Sequence, residues 1–224
     1  MSDKVIEKRY SIKTDFSLFA ILIIPIAVAV NFVGGNLASL LKLPLYLDTI
    51  GTIFASMLCG PWVGALAGGL TNVINGIPNP VNFAFIPVNV IVGLVTGFLA
   101  RGDMFSVWWK WFISIILMTL ASIISAAPIV VLMFGGITGG GTSIVAATLM
   151  ATGTNIWLAV IGSDGVFTVV DRVISFFISW LVIRVIPNKT LIKFGCGGNY
   201  IRKKEIQTQN PSPNPSGSAD SEIK

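Results

Sequence analysis

Asp48, Thr52, Asn72 and Asn75 stand in a stretch, residues 47–75, that is otherwise apolar enough to sit in a membrane. A carboxylate and primary amides are expensive in such surroundings unless something partners them. Gly60-Pro61 splits the stretch into two segments of roughly 13 to 16 residues, each shorter than the ~20 needed to cross a ~30 Å hydrocarbon core upright. Folding back at that break returns the two ends to one depth. Asp48, Thr49 and Thr52 then lie level with Thr71, Asn72 and Asn75. Polar groups gathered at one depth and held by small packed residues suit the capture of a small polar ligand.

Further along, Asn79 and Asn82 load the turn after residue 75, and Asp164 precedes a long apolar run with Trp157 and Asn155 close by. These sites converge on one side of the membrane. Asp48, Thr52, Asn72, Asn75, Asn82, Trp157 and Asp164 are therefore the candidate substrate-binding residues. For Asp48 and Asp164 a helix N-cap explains the residue type equally well, and the two roles are compatible. Asp171 and Arg172 lie inside the last apolar run, where neighbours on a helix point ~100° apart. That spacing predicts Asp171 turned into the bundle and a structural role for Arg172, with a ligand role second.

Composition sets the frame. Of 224 residues, 54% are hydrophobic and only 11% charged, with mean hydropathy +0.82, against about 25% charged in soluble domains. The chain is expected to be an all-α membrane protein with about six spans: residues 16–33, the two halves of 47–75, 83–99, 107–134 and 166–186. A glycine-rich outer connection, GGITGGG, comes before the last span. Residues 142–161 are left open between an interfacial helix, a re-entrant segment and a further span. Residues 1–15 read as a basic cytoplasmic N-terminus with no removable signal peptide, 16–187 as the membrane domain, and 188–224 as a basic and then disordered cytoplasmic tail.

The net charge of +5 does not point to nucleic acid, because the basic residues flank the spans. Of the basic residues flanking the spans, twelve fall on the side of the termini and Lys42 alone on the other, which predicts both termini in the cytoplasm. The chain has no histidine, and Cys59 and Cys196 make no metal pattern, so neither a metal nor a cofactor is expected. Gly60, Gly64 and Gly68 recur at four-residue spacing, a flat face for close helix approach that leaves internal packing and partner docking both open.

The stretch LDTIGTIFASMLCGPWVGALAGGLTNVINGI, with its acidic start, GPW-G turn and terminal TN, resembles the substrate-binding S-components of energy-coupling factor (ECF) transporters. The resemblance implies a bacterial plasma-membrane protein with no enzymatic activity. Such a protein captures a small vitamin-like or nucleoside-like nutrient from outside and delivers it with a T-component and two ABC-type ATPases. The resemblance also implies a docking face, for which Ala27 with Gly60, Gly64 and Gly68 are the candidates. The sequence lacks a G-x-x-x-x-G-K-[ST] phosphate loop, as a chain powered by separate ATPases would. Two other classes compete. A self-sufficient secondary carrier would usually show two related halves, and none is visible. An intramembrane enzyme would have to use Asp48 and Asp164 as paired carboxylates, in motifs that do not fit that chemistry.

Overall fold

The computed structural model describes residues 15–201. The expected basic N-terminus before residue 15 and the tail after residue 201 lie outside the described residues. Within them the chain is helical, with no strand among the described residues: α1 Leu18–Leu40, α2 Ile50–Cys59, α3 Pro61–Gly76, α4 Ile86–Arg101, α5 Trp108–Phe134, α6 Gly141–Ala151 and α7 Ile156–Val185. Single helical turns at Val81–Ala84, Asn188–Leu191 and Gly197–Tyr200 complete it. Three helices, α1, α5 and α7, are long and apolar enough to cross a membrane, whereas α2, α4 and α6 are shorter apolar helices. The chain is an all-helical membrane protein.

Helix boundaries depart from expectation in two places. Gly34 and Gly35 do not end α1, which continues to Leu40 because Gly34 packs its bare backbone against Leu47 rather than releasing the helix. The last helix begins at Ile156, ten residues earlier than expected, and its N-cap is Asn155, whose side chain accepts from the Trp157 N–H at 2.9 Å. Asp164 is thus a mid-helix residue and caps nothing. Asp48 does not hold the cap position either, which falls to Thr49. Of residues 142–161, the first ten belong to α6, an eleven-residue helix that at ~1.5 Å per residue is too short to cross the bilayer.

The fold-back at Gly60-Pro61 is present. Gly60 has φ 110°, a backbone conformation open to glycine, and Pro61 takes the first position of α3, where its missing N–H costs nothing. A side chain on Gly64 would collide with Ser56, and one on Gly68 would come within 3.1 Å of Thr52 and 2.5 Å of the Asn89 carbonyl. The two short helices therefore run antiparallel, with α4 pressed on the same glycine face. Eight of the ten residues of α2 are buried, so this short helix is the centre of the bundle rather than a lipid-facing span.

Asn31 of α1 ties the hairpin together. Its Nδ2 donates to Thr52 Oγ1 and to Thr71 Oγ1, both at 2.9 Å, and its Oδ1 accepts from the Gly51 N–H at 2.6 Å. All of its bonds are made in full burial, where each unpaired group would cost about 1–3 kcal/mol.

At the opposite end of the bundle, Asp15 and Arg101 form a buried ion pair of 2.5 Å. Residues 188–201 fold against the same end. Leu191, Phe194 and Cys196 are buried, the Cys196 N–H donates to the Leu58 carbonyl at 3.1 Å, and Asn199 Nδ2 donates to the Ala100 carbonyl at 2.8 Å. The basic segment after the last helix is thus a packed cover up to residue 201. Cys59 and Cys196 are buried at this end and are not joined in a disulfide.

Candidate functional site

Between the end of α1, the connection 41–49 and the start of α7 lies a cavity of about 660 Å³. Six of the seven helices and three connections reach it; α2 alone sits below, with Asp48 leading into it and Asn75 lining the cavity from the last turn of α3. Asp48, Asn75, Asn82 and Asp164, all expected at one site from the sequence, line this single cavity.

Gly35 is the spacer between the first two. A Cβ there would sit 3.2 Å from the Asp48 Cβ and 3.7 Å from Asn75 Nδ2, so α1 passes close over both without covering them. Asp48 Oδ2 lies 3.4 Å from Asn89 Nδ2, which also donates to Asn72 Oδ1 at 3.0 Å. Asn75 is 7% exposed, and its Oδ1 is buried without a partner. Its backbone carbonyl accepts from Asn82 Nδ2 at 3.0 Å, which fixes the asparagine-rich turn over the end of α3.

Asp164 closes the other wall. Tyr46 donates its hydroxyl to Asp164 Oδ1 at 3.1 Å and lies 3.0 Å from Thr142 Oγ1, so the connection 41–49 is joined to both α6 and α7. The Tyr46 ring keeps 37% of its surface open, but its hydroxyl is enclosed. Burial of that group, and next the Asp164 charge, push its pKa above the ordinary tyrosine value, so it stays a donor. The glycine segment reaches the cavity at Gly139 and Gly140, steadied by Ser143 Oγ, which accepts from the N–H groups of Thr138 and Gly139 at 3.0 and 3.2 Å.

Three expected residues are placed elsewhere. Thr52 is fully buried on Asn31, one turn below the cavity. Asn72 is 1% exposed and sits behind Asn89, which it orients through its carbonyl; its Nδ2 has no partner. Trp157 is 40% exposed on the first turn of α7, one turn beyond Val160, Ile161 and Asp164, which do face the cavity. Thr52 and Asn72 are positioning residues here, and Trp157 does not line the site.

Arg172 does line it. Its Nε donates to Ser122 Oγ at 3.0 Å, and its Nη1 donates to Thr49 Oγ1 and to Asp171 Oδ2, the latter at 3.2 Å. Asp171 is fully buried and accepts the Leu47 N–H at 2.8 Å. The helix geometry that separates adjacent Cβ atoms does not prevent the long guanidinium from curling back onto its neighbour. Asn89 also lines the cavity and is not among the residues expected there. An amide inside an apolar run is the same signal that singles out Asn72, so the sequence does carry it.

The residues expected to dock a partner are inside the bundle. Ala27 is fully buried under Gly51, Gly60 faces the Asp15 carboxylate, Gly64 faces Ser56 and Gly68 faces α4. They let helices approach closely and offer no surface to another protein, so the internal-packing reading is the one that matches. Among the described residues no group of His, Cys, Asp or Glu is arranged to hold a metal.

A polar cavity enclosed by apolar helices defines the class: a membrane-embedded helical protein with a pocket for a small solute. The family model for the ECF transporter, substrate-specific component, matches residues 19–183, and the chain belongs to that family. It is a family of transporter components rather than enzymes. No curated protein and no solved structure matches the chain.

Proposed function

We propose that this chain is the capture subunit of an ECF-type importer in the bacterial plasma membrane. A small vitamin-like or nucleoside-like nutrient enters from outside and occupies the cavity between Asp48, Asn75, Asn82 and Asp164. A T-component and two ABC-type ATPases then drive its delivery. The observation that supports this most directly is the cavity itself, large enough for a compact heterocyclic solute and lined by amides and carboxylates, in a chain of this family. The missing phosphate loop supports dependence on separate ATPases. The twelve-to-one distribution of basic residues supports cytoplasmic termini and a cavity that opens outward beside Lys42.

Uptake in cells is the test. Expressed alone, the chain should bind solute without accumulating it, and accumulation should require a co-expressed T-component with both ATPases. Concentrative uptake by the purified chain alone in liposomes would make it a self-sufficient carrier and overturn the proposal. Labels placed at Lys42 and Asn79 should react from outside, while a reporter after Lys204 stays inside.

A further inference from the structure

The charges around the cavity are unevenly committed. Four charged side chains line it: Lys42, Asp48, Asp164 and Arg172. Arg172 is held by Ser122, Thr49 and the buried Asp171 carboxylate, so its charge is answered within the protein. Lys42 is exposed at the rim, where water screens it. Neither cation bonds Asp48 or Asp164 among the described residues. Asp164 meets only the neutral hydroxyls of Tyr46 and Thr142, and Asp48 has the 3.4 Å approach of the Asn89 amide and its own backbone N–H.

Across Gly35 from Asp48 is the Asn75 amide, its Nδ2 on the Gly35 side and its Oδ1 enclosed without a donor. A loosely paired carboxylate that keeps open surface in the cavity asks for an N–H donor carrying positive charge. Nothing on the opposite wall asks for the reverse, since the Arg172 charge is already matched.

Resting on the capture reading above, we infer that the ligand of this cavity carries a basic nitrogen, protonated at neutral pH, seated at Asp48. The Asn89 amide holds the Asp48 carboxylate in place, with Asn72 behind it as a positioning residue. The nitrogen donates to a carboxylate oxygen of Asp48 and replaces water that this oxygen would otherwise bind. Phe85, Val88 and Ala127 supply apolar contact for the rest of the molecule. A compound whose only charge is negative has no place at the Asp48 end.

The compound need not be identified for the test. Yeast extract is passed over a strong cation exchanger at pH 3, where basic nitrogens are charged and carboxylates are neutral. The retained and flow-through pools, returned to pH 7, are added to the purified full-length chain. The retained pool should raise the melting temperature by a few degrees, the shift expected for ligand well above its Kd, and the flow-through should not. Asp48→Asn preserves the shape and the contact with Asn89, and should lose that shift while melting normally without ligand. If Asp48→Asn does not fold, Asn75→Asp serves instead: it adds negative charge beside the same seat and should keep or enlarge the response to the retained pool. Stabilisation by the flow-through pool overturns the inference while leaving capture intact, as does an undiminished shift in Asp48→Asn. Stabilisation by neither pool counts against capture itself, and the basic-nitrogen seat falls with it.

Discussion

Asp15 and Arg101 meet at 2.5 Å in full burial, at the end of the bundle farthest from the cavity. Asp15 Oδ2 also accepts from the Trp62 N–H at 3.3 Å, so a carboxylate from before α1 serves the start of α3. Gly60 has no side chain, and a Cβ there would stand within 2.7 Å of that carboxylate. Arg101, at the end of α4, completes the clasp. Replacing Asp15 takes an acidic partner from a buried guanidinium, a loss of up to about 3–5 kcal/mol. Asp15→Asn should therefore lower the melting temperature markedly while ligand affinity, set at the other end, stays the same. The double variant Asp15→Asn/Arg101→Gln should recover part of the loss, and additive losses would show that the pair is not coupled.

Asn31 makes a second prediction. Asn31→Ala leaves the two threonine hydroxyls and the Gly51 N–H without their partner in full burial. With about 1–3 kcal/mol for each unpaired group, chemical denaturation should show a loss of at least about 2 kcal/mol. A smaller loss would mean that water enters the gap.

The glycine row separates packing from docking. Gly64→Leu drives a side chain into Ser56, whose Oγ is bonded to the carbonyls of Thr52 and Gly93 at 2.7 and 3.0 Å. The isolated chain should fail to purify as a single monodisperse species. Gly162→Leu is the matched control, because nothing lies within 4 Å of the added Cβ. Normal folding of Gly64→Leu would make this face a candidate docking surface again.

The cavity wall gives a graded series. Asn72→Ala releases Asn89 and should weaken binding roughly five- to a hundredfold, the span that corresponds to about 1–3 kcal/mol. Trp157→Ala, one turn beyond the lining, should leave affinity within about twofold. Isothermal titration with the compound that co-purifies, identified by mass spectrometry, reads both. Equal losses in the two variants would move the site toward the start of α7.

Much of this arrangement is legible in the sequence because the signals are local. Gly60-Pro61 states its own turn, and intramembrane Asp48 and Asn75 are too costly to be incidental. The partners are not legible. Asn31 finds Thr52 and Thr71 across three helices, and Arg172 finds Ser122 fifty residues away, contacts that no periodicity encodes. The glycine row shows why spacing alone misassigns a face: small residues permit close approach by any neighbour, and only the folded bundle says that the neighbours are α2 and α4. The start of α7 is hidden because Gly162 and Gly165 look like breaks, yet both fit within the helix.

The aromatic cluster at the start of α5 fixes a level. Trp108, Trp109 and Phe112 are 64%, 65% and 57% exposed, as residues in an interfacial belt are. Counting up the 27 residues of α5 at ~1.5 Å each gives ~40 Å, about 10 Å more than the hydrocarbon is thick. Run upright, α5 would carry its last turns, and the glycine segment after them, clear of the acyl chains and among headgroups and water. That is the surrounding its irregular backbone requires, since bare peptide groups cannot face lipid. On the proposed capture role, a solute passing Gly139 and Gly140 would step from water straight into the cavity. Its oil–water partition coefficient should then have no bearing on how fast it arrives.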